Sequence, residues 1–127
     1  MDHQDLRELK ILIIDASDVL RKSLVKAFGT LVGLEVIGEA ATGEEGVKAA
    51  RSLRPDLIVF EPSADTSGLE ALHEIRRHDL RVLIVIFTAD YSPAFRGICR
   101  NAGATFFVSK SRIRDLLDAA EIARKLS

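Results

Sequence analysis

The sequence predicts an α/β fold: a parallel sheet sandwiched between two layers of helices. Three observations carry that expectation. Short blocks rich in Ile, Val and Phe alternate with longer stretches of helical apolar spacing, five times over. Four of the five strand-like blocks are continuously apolar rather than alternating, as suits strands buried on both faces. With 127 residues, 47% hydrophobic and 29% charged, the chain is large enough for one cored domain and too small for two ordinary ones.

Taken in order, residues 11–14 form the first apolar block and Leu20, Leu24, Ala27, Phe28 and Leu31 recur at helical spacing after it, with Ser17 or Asp18 as the cap. Residues 34–40 mix apolar side chains with Glu35 and Glu39, which fits an edge strand. Thr42 caps a second helix with Val47, Ala50 and Leu53 inward; Gly46 is its interior weak point. Residues 57–60 are the third block, and Gly68 precedes a helix carrying Leu69, Leu72 and Ile75. Residues 82–87 follow, then a helix with Phe95, Ile98, Cys99 and Ala102. Residues 105–108 end the series, and Ser111 is the expected cap of a last helix striped by Ile113, Leu116, Leu117, Ala120 and Ala123.

Several chemistries drop out at once. The single cysteine, Cys99, excludes a disulfide framework and a cysteine-based zinc site, and its helical stripe makes it a small core residue. No apolar run reaches the roughly 18 residues of a membrane span, and the charged start MDHQDLRELK does not read as a secretory signal. The expected location is cytoplasmic. No P-loop and no G-x-G-x-x-G follow the first strand, where the chain reads Asp15-Ala16-Ser17-Asp18. His3, His73 and His78 sit near no nucleophile and read as surface residues. A net charge of −1 argues against nucleic-acid binding by the whole surface. Residues 91–127 nevertheless hold seven Lys/Arg against three Asp/Glu, so the last third offers a basic docking face.

In open α/β sheets, functional groups gather at the carboxyl ends of the strands. There the sequence places Asp15, Glu61, Thr88 and Ser109–Lys110. Two carboxylates, a hydroxyl and an ammonium at one sheet edge make a coherent site for an anionic group.

The segments ILIID at 11–15, ATGEEGVKAA at 41–50, RPDLIVF at 54–60, GLEAL at 68–72, FTA at 87–89 and NAGATFFVSK at 101–110 resemble, in order and spacing, the receiver domain of two-component response regulators. The resemblance spans 9–126, leaving 1–8 as a short polar tail. It implies a flavodoxin-like (βα)5 fold with strand order 2-1-3-4-5. It also implies phosphoryl transfer from a histidine kinase onto an aspartate after the third strand, with Mg²⁺ held by an acidic pair after the first strand and by that aspartate. Carried over by position, Asp15 and Ala16 occupy the acidic pair, Glu61 the phosphoacceptor position, Thr88 the switch hydroxyl, Phe107 the aromatic switch and Lys110 the phosphate-binding lysine. Ser111 in place of proline after Lys110 is similar to receivers joined to helix-turn-helix outputs.

The chain departs from the family twice, at Ala16 and at Glu61. The expectation is therefore an atypical, non-enzymatic receiver that works by protein–protein interaction, with phosphorylation lost or weakened. No cofactor is expected, and no metal beyond residual contacts from Asp15 and Glu61. Its partners would be a histidine kinase or downstream effector, with no membrane and no direct nucleic acid. Arg96, Arg100, Arg112 and Arg114 form the expected docking face and a possible homodimer surface around the fourth helix, fifth strand and fifth helix, with Asp115 and Asp118 as complementary charges. Two alternatives stand beside this reading. One is a working phosphoacceptor receiver using Mg²⁺ and Glu61 or Asp65. The other is a flavodoxin-like cofactor binder, which lacks a phosphate loop.

Overall fold

A computed structural model describes residues 8–62 and 66–126. Five strands alternate with five helices: β1 (Leu9–Ile14), α1 (Asp18–Gly29), β2 (Leu34–Ala40), α2 (Gly43–Leu53), β3 (Leu57–Phe60), α3 (Thr66–His78), β4 (Leu83–Thr88), α4 (Pro93–Asn101), β5 (Phe106–Ser109) and α5 (Ile113–Leu126). The strands pair in parallel in the order β2-β1-β3-β4-β5. This is the expected doubly wound topology, with the mixed-polarity strand β2 at an edge.

The sheet divides the core in two because successive side chains of a strand point to opposite faces. Leu9, Ile11 and Ile13 of β1 join Leu24 and Phe28 of α1 and Leu116, Ala120 and Ala123 of α5. Leu12 and Ile14 join Leu72 and Ile75 of α3 and Cys99 of α4 on the other face. β1, β3 and β4 thus bury both faces, which is why their sequences are apolar apart from exposed Lys10 and the terminal Thr88. Neighbouring Phe106 and Phe107 are divided between the two cores in the same way.

Local chemistry sets the helix ends. Ser17 caps α1, its Oγ accepting from Leu20 N, and Asp18 is the first helical residue, near the positive end of the helix dipole. Thr42 caps α2 by accepting from Glu45 N, while Glu45 accepts from Ala41 N. Ser92 caps α4 ahead of Pro93.

Some expectations are corrected. Gly46 has a packing role beyond the expected weak point: a Cβ there would lie 2.5 Å from Ile14 Cδ1, so glycine lets α2 rest closely on β1. α3 begins at Thr66, before Gly68. Ser111 does not cap α5; its Oγ pairs with Ser109 Oγ at 2.9 Å, and the helix starts at Ile113. Ile98 and Ile113, assigned to inward stripes, are 50% and 40% exposed. β4 runs one residue later than expected because Thr88, although polar, stays in register opposite Ser109. His3 and Asp65 lie outside the described residues.

Candidate functional site

The site forms where the strands end. Ladder hydrogen bonds carry the chain past the strand ends and fix where each functional residue emerges: Asp15 N donates to Ala40 O, Glu61 N to Ile14 O, and Lys110 N to Thr88 O. Asp15, Glu61, Thr88 and Lys110 therefore share one edge, as the sequence pattern anticipated.

Lys110 Nζ lies 2.8 Å from Asp15 Oδ2 and 3.4 Å from Glu61 Oε1, so one ammonium bridges both carboxylates. The other Asp15 oxygen accepts from Ser17 N at 2.8 Å. Glu61 Oε1 also accepts from Ala89 N at 3.2 Å. Only 9% of the Glu61 side chain and 25% of the Lys110 side chain are exposed, which shields the contact from full solvent screening. Through its longer side chain, Glu61 links β3, the β4–α4 loop and the loop after β5.

Thr88 is fully buried and its Oγ1 accepts from Asp90 N at 3.0 Å. Asp90 Oδ1 accepts from Ser92 N, and Ser92 Oγ accepts from Phe95 N, so a chain of side-chain hydrogen bonds pins the β4–α4 loop. Tyr91 closes it from outside, donating to Phe107 O at 3.4 Å.

Two contributors escaped the sequence reading. The Ala89 contact is a backbone amide and has no side-chain signature. Arg21, on α1, carries no sequence signal that sets it apart from other helix arginines, yet it is only 9% exposed. Its guanidinium donates to the Asp15 carbonyl, to Asp18 Oδ1 at 2.5 Å and to Glu39 Oε1 at 3.2 Å, tying together the ends of β1 and β2 and the start of α1. Asp18 thus serves Arg21 and Lys22. Cys99, wholly buried as expected, has its thiol pushed up to about 11 by burial and then by the Glu61 and Asp90 carboxylates.

The arginines of the expected docking face are mostly engaged within the chain. Arg96 stacks over Tyr91 with its guanidinium carbon 4.5 Å from the ring centroid, and Arg100 over Phe107 at 5.1 Å. Arg112 Nε pairs with Asp115 Oδ2 at 2.6 Å, so Asp115 is occupied internally; Arg114 and Asp118 are exposed.

The family model for the response regulator receiver domain matches residues 11–121. The chain belongs to that family. Among curated relatives, the receiver is 34% identical over 116 residues to BvgA of Bordetella pertussis, covering 88% of this chain and 54% of that protein. It is 29% identical over 103 residues to the response regulator GacA of Pseudomonas aeruginosa, covering 80% and 48%. The chain thus spans about half the length of these relatives. In fold it superposes on the response regulator domain of Thermotoga maritima CheB with a TM-score of 0.81 at 23% identity, covering 95% of this chain and 99% of that one. The expected fold and its place in two-component signalling are therefore met. The cofactor-binder alternative draws no support from these matches.

The Mg²⁺ associated with the family poses a separate question of fit. Mg²⁺ takes hard oxygen donors in near-octahedral geometry and dehydrates reluctantly. Here the second acidic-pair position offers the Ala16 methyl, and Lys110 lies against both remaining carboxylates. Among the described residues no group of three or more metal-binding side chains comes together. The donor set of this receiver does not fit the ion.

Proposed function

We propose that this is an atypical receiver, occupying residues 9–126, that signals through protein–protein contacts with phosphoryl transfer onto it lost or weakened. One observation carries the reading: the Glu61 carboxylate already rests on Lys110 Nζ and Ala89 N. The extra methylene of Glu61 carries the negative charge further over the sheet edge than an aspartate would, which supports reading it as a partial stand-in for a phosphoryl group. A carboxylate held at this point favours the arrangement of the β4–α4 loop that a phosphoryl group would favour. The energies involved bias a two-state loop without locking it.

The rest follows from the same site. Phosphoryl acceptance in this family draws on an acidic pair that Ala16 breaks, so no Mg²⁺ or other cofactor is needed for the proposed role. The chain then works as a non-enzymatic module in the cytoplasm, in line with the absence, among the described residues, of a helix long and apolar enough to cross a membrane. Its partners are signalling proteins, a histidine kinase or an effector, or a second copy docked on α4, β5 and α5 around Arg96, Arg100, Arg112 and Arg114. The test is intact mass after incubation with acetyl phosphate and Mg²⁺ at neutral pH. An unchanged mass is expected; a stable gain of about 80 Da, one phosphoryl group, overturns the reading in favour of a working acceptor.

A further inference from the structure

A second concave feature lies at the opposite end of the sheet, between α2 and α3. The two helices converge at their amino ends, where a Cβ on Gly43 would come within 2.8 Å of Ala71 Cβ. Towards their carboxyl ends the gap is a groove of about 450 Å³. That volume falls within the roughly 300–1,000 Å³ typical of small-ligand sites. Its apolar lining includes Val47, Ala50, Ile58, Ile75 and Val82. None of these residues takes part in the site at the other edge.

The rim is polar. Arg51, Arg54 and His78 line it, against the single carboxylate of Asp79. That carboxylate is already turned to backbone, accepting from Arg81 N at 2.9 Å and Val82 N at 3.1 Å. Arg51 spans the helices to Glu74 Oε2 at 2.9 Å, while Glu74 also receives Arg77 and His78. Glu74 is thereby held below the usual carboxylate range, first by its His78 hydrogen bond. Arg54 has no ion pair among the described residues. It is also the one described non-glycine residue at positive φ, with φ 50° and ψ 61°, a left-handed position at the end of α2 where glycine is the usual occupant. A guanidinium without an ion pair at the rim of an apolar groove is suited to hold the head of an organic anion.

We propose that this groove binds a small amphipathic organic anion, its apolar body on Val47, Ile58 and Ile75 and its carboxylate-like head on the Arg54 guanidinium. An apolar lining with one or two placed cationic groups is the usual make-up of such a site. Occupancy would provide the receiver with an input independent of anything that happens at Glu61.

The position of Arg54 supplies a clean variant. Arg54→Gly removes the guanidinium yet suits the left-handed backbone, so loss of binding cannot be assigned to misfolding. The probe is octanoate, with octan-1-ol as the uncharged comparison, followed through the methyl NMR signals of Val47, Ile58, Ile75 and Val82. Saturable octanoate shifts at these methyls are expected with a Kd below about 1 mM. Arg54→Gly should weaken octanoate about tenfold, the loss of one charge-assisted hydrogen bond, and leave octan-1-ol unaffected. Three results overturn the proposal: no saturation by octanoate up to about 10 mM, about ten times that limit; octan-1-ol binding as tightly as octanoate; or equal octanoate affinity in Arg54→Gly. Because the readout is on unphosphorylated protein, failure here says nothing about the role of Glu61, and the reverse holds too.

Discussion

Replacing Glu61 with glutamine keeps the shape of the side chain and its oxygen acceptor for Ala89 N, and removes only the charge facing Lys110. At the observed 3.4 Å, the gross attraction is about 5 kcal/mol at an effective dielectric of about 20. Desolvation of both groups offsets most of it. Fully exposed pairs net about 0–1 kcal/mol, and breaking fully buried ones costs about 3–5 kcal/mol. With 9% of one side chain and 25% of the other exposed, the pair falls between these limits. Lys110 also keeps Asp15 at 2.8 Å in the variant, which lowers the loss further. The expected destabilisation for Glu61→Gln is about 1–2 kcal/mol. In urea, with a slope of about 2 kcal/mol/M for a domain this size, the midpoint should fall by about 0.5–1 M at unchanged slope. The reasoning has an opposing term, since two carboxylates share one ammonium and repel each other. An unchanged or raised midpoint in Glu61→Gln would show that repulsion wins and that Glu61 contributes nothing to holding the β4–α4 loop.

Three further outcomes are expected. Amide NMR shifts around Asp15 and Ala16 should not saturate at low-millimolar Mg²⁺, whereas Ala16→Asp, which restores an oxygen donor, should gain binding by at least about tenfold; saturation in the unaltered chain would contradict the fit argument. Cys99 releases its proton at about 11 in the folded chain against 9.0 ordinarily, so its contribution is whole below pH 9 and is lost as the pH rises through 11. The unaltered chain should therefore lose about 1–3 kcal/mol over that window relative to Cys99→Ala, and equal slopes of stability against pH would refute the burial effect. Arg21→Met leaves the Asp18 and Glu39 carboxylates and the Asp15 carbonyl without their shared donor; a loss of about 2–4 kcal/mol, seen as a Tm lower by about 10 °C, is expected, and a change of less than about 2 °C would make Arg21 a bystander.

Legibility in the sequence followed physical cause. Strands β1, β3 and β4 announce themselves because burial on both faces leaves runs of four or more apolar residues, and β2 because Glu35 and Glu39 mark an exposed edge. Asp15, Glu61, Thr88 and Lys110 were legible because parallel topology delivers the residue after each strand to the same edge. What escaped was relational. Ala89 acts through its amide, and every residue but proline has one. Arg21 is set apart from other helix arginines only by three oxygen acceptors that the fold assembles around it. Gly46 reads as a helix breaker until Ile14 is placed against it. Ser111 looked like a cap because it precedes a helical stripe, yet Ser109 lies within reach of the same hydroxyl.

The sheet that parts the core into two halves also isolates them from each other. Leu24 and Phe28 on one side and Leu72 and Ile75 on the other share no side-chain neighbours, so volume changes in one half have no direct route to the other through packing. At the carboxyl edge this partition lapses. There Lys110, arriving just ahead of α5, joins Asp15 on the way to α1 and Glu61 on the way to α3, while Glu61 holds the loop that leads to α4. The two cores share only the strands between them, and the junction of Lys110, Asp15, Glu61 and the Ala89 amide gives the two helical layers a direct side-chain link at the carboxyl edge.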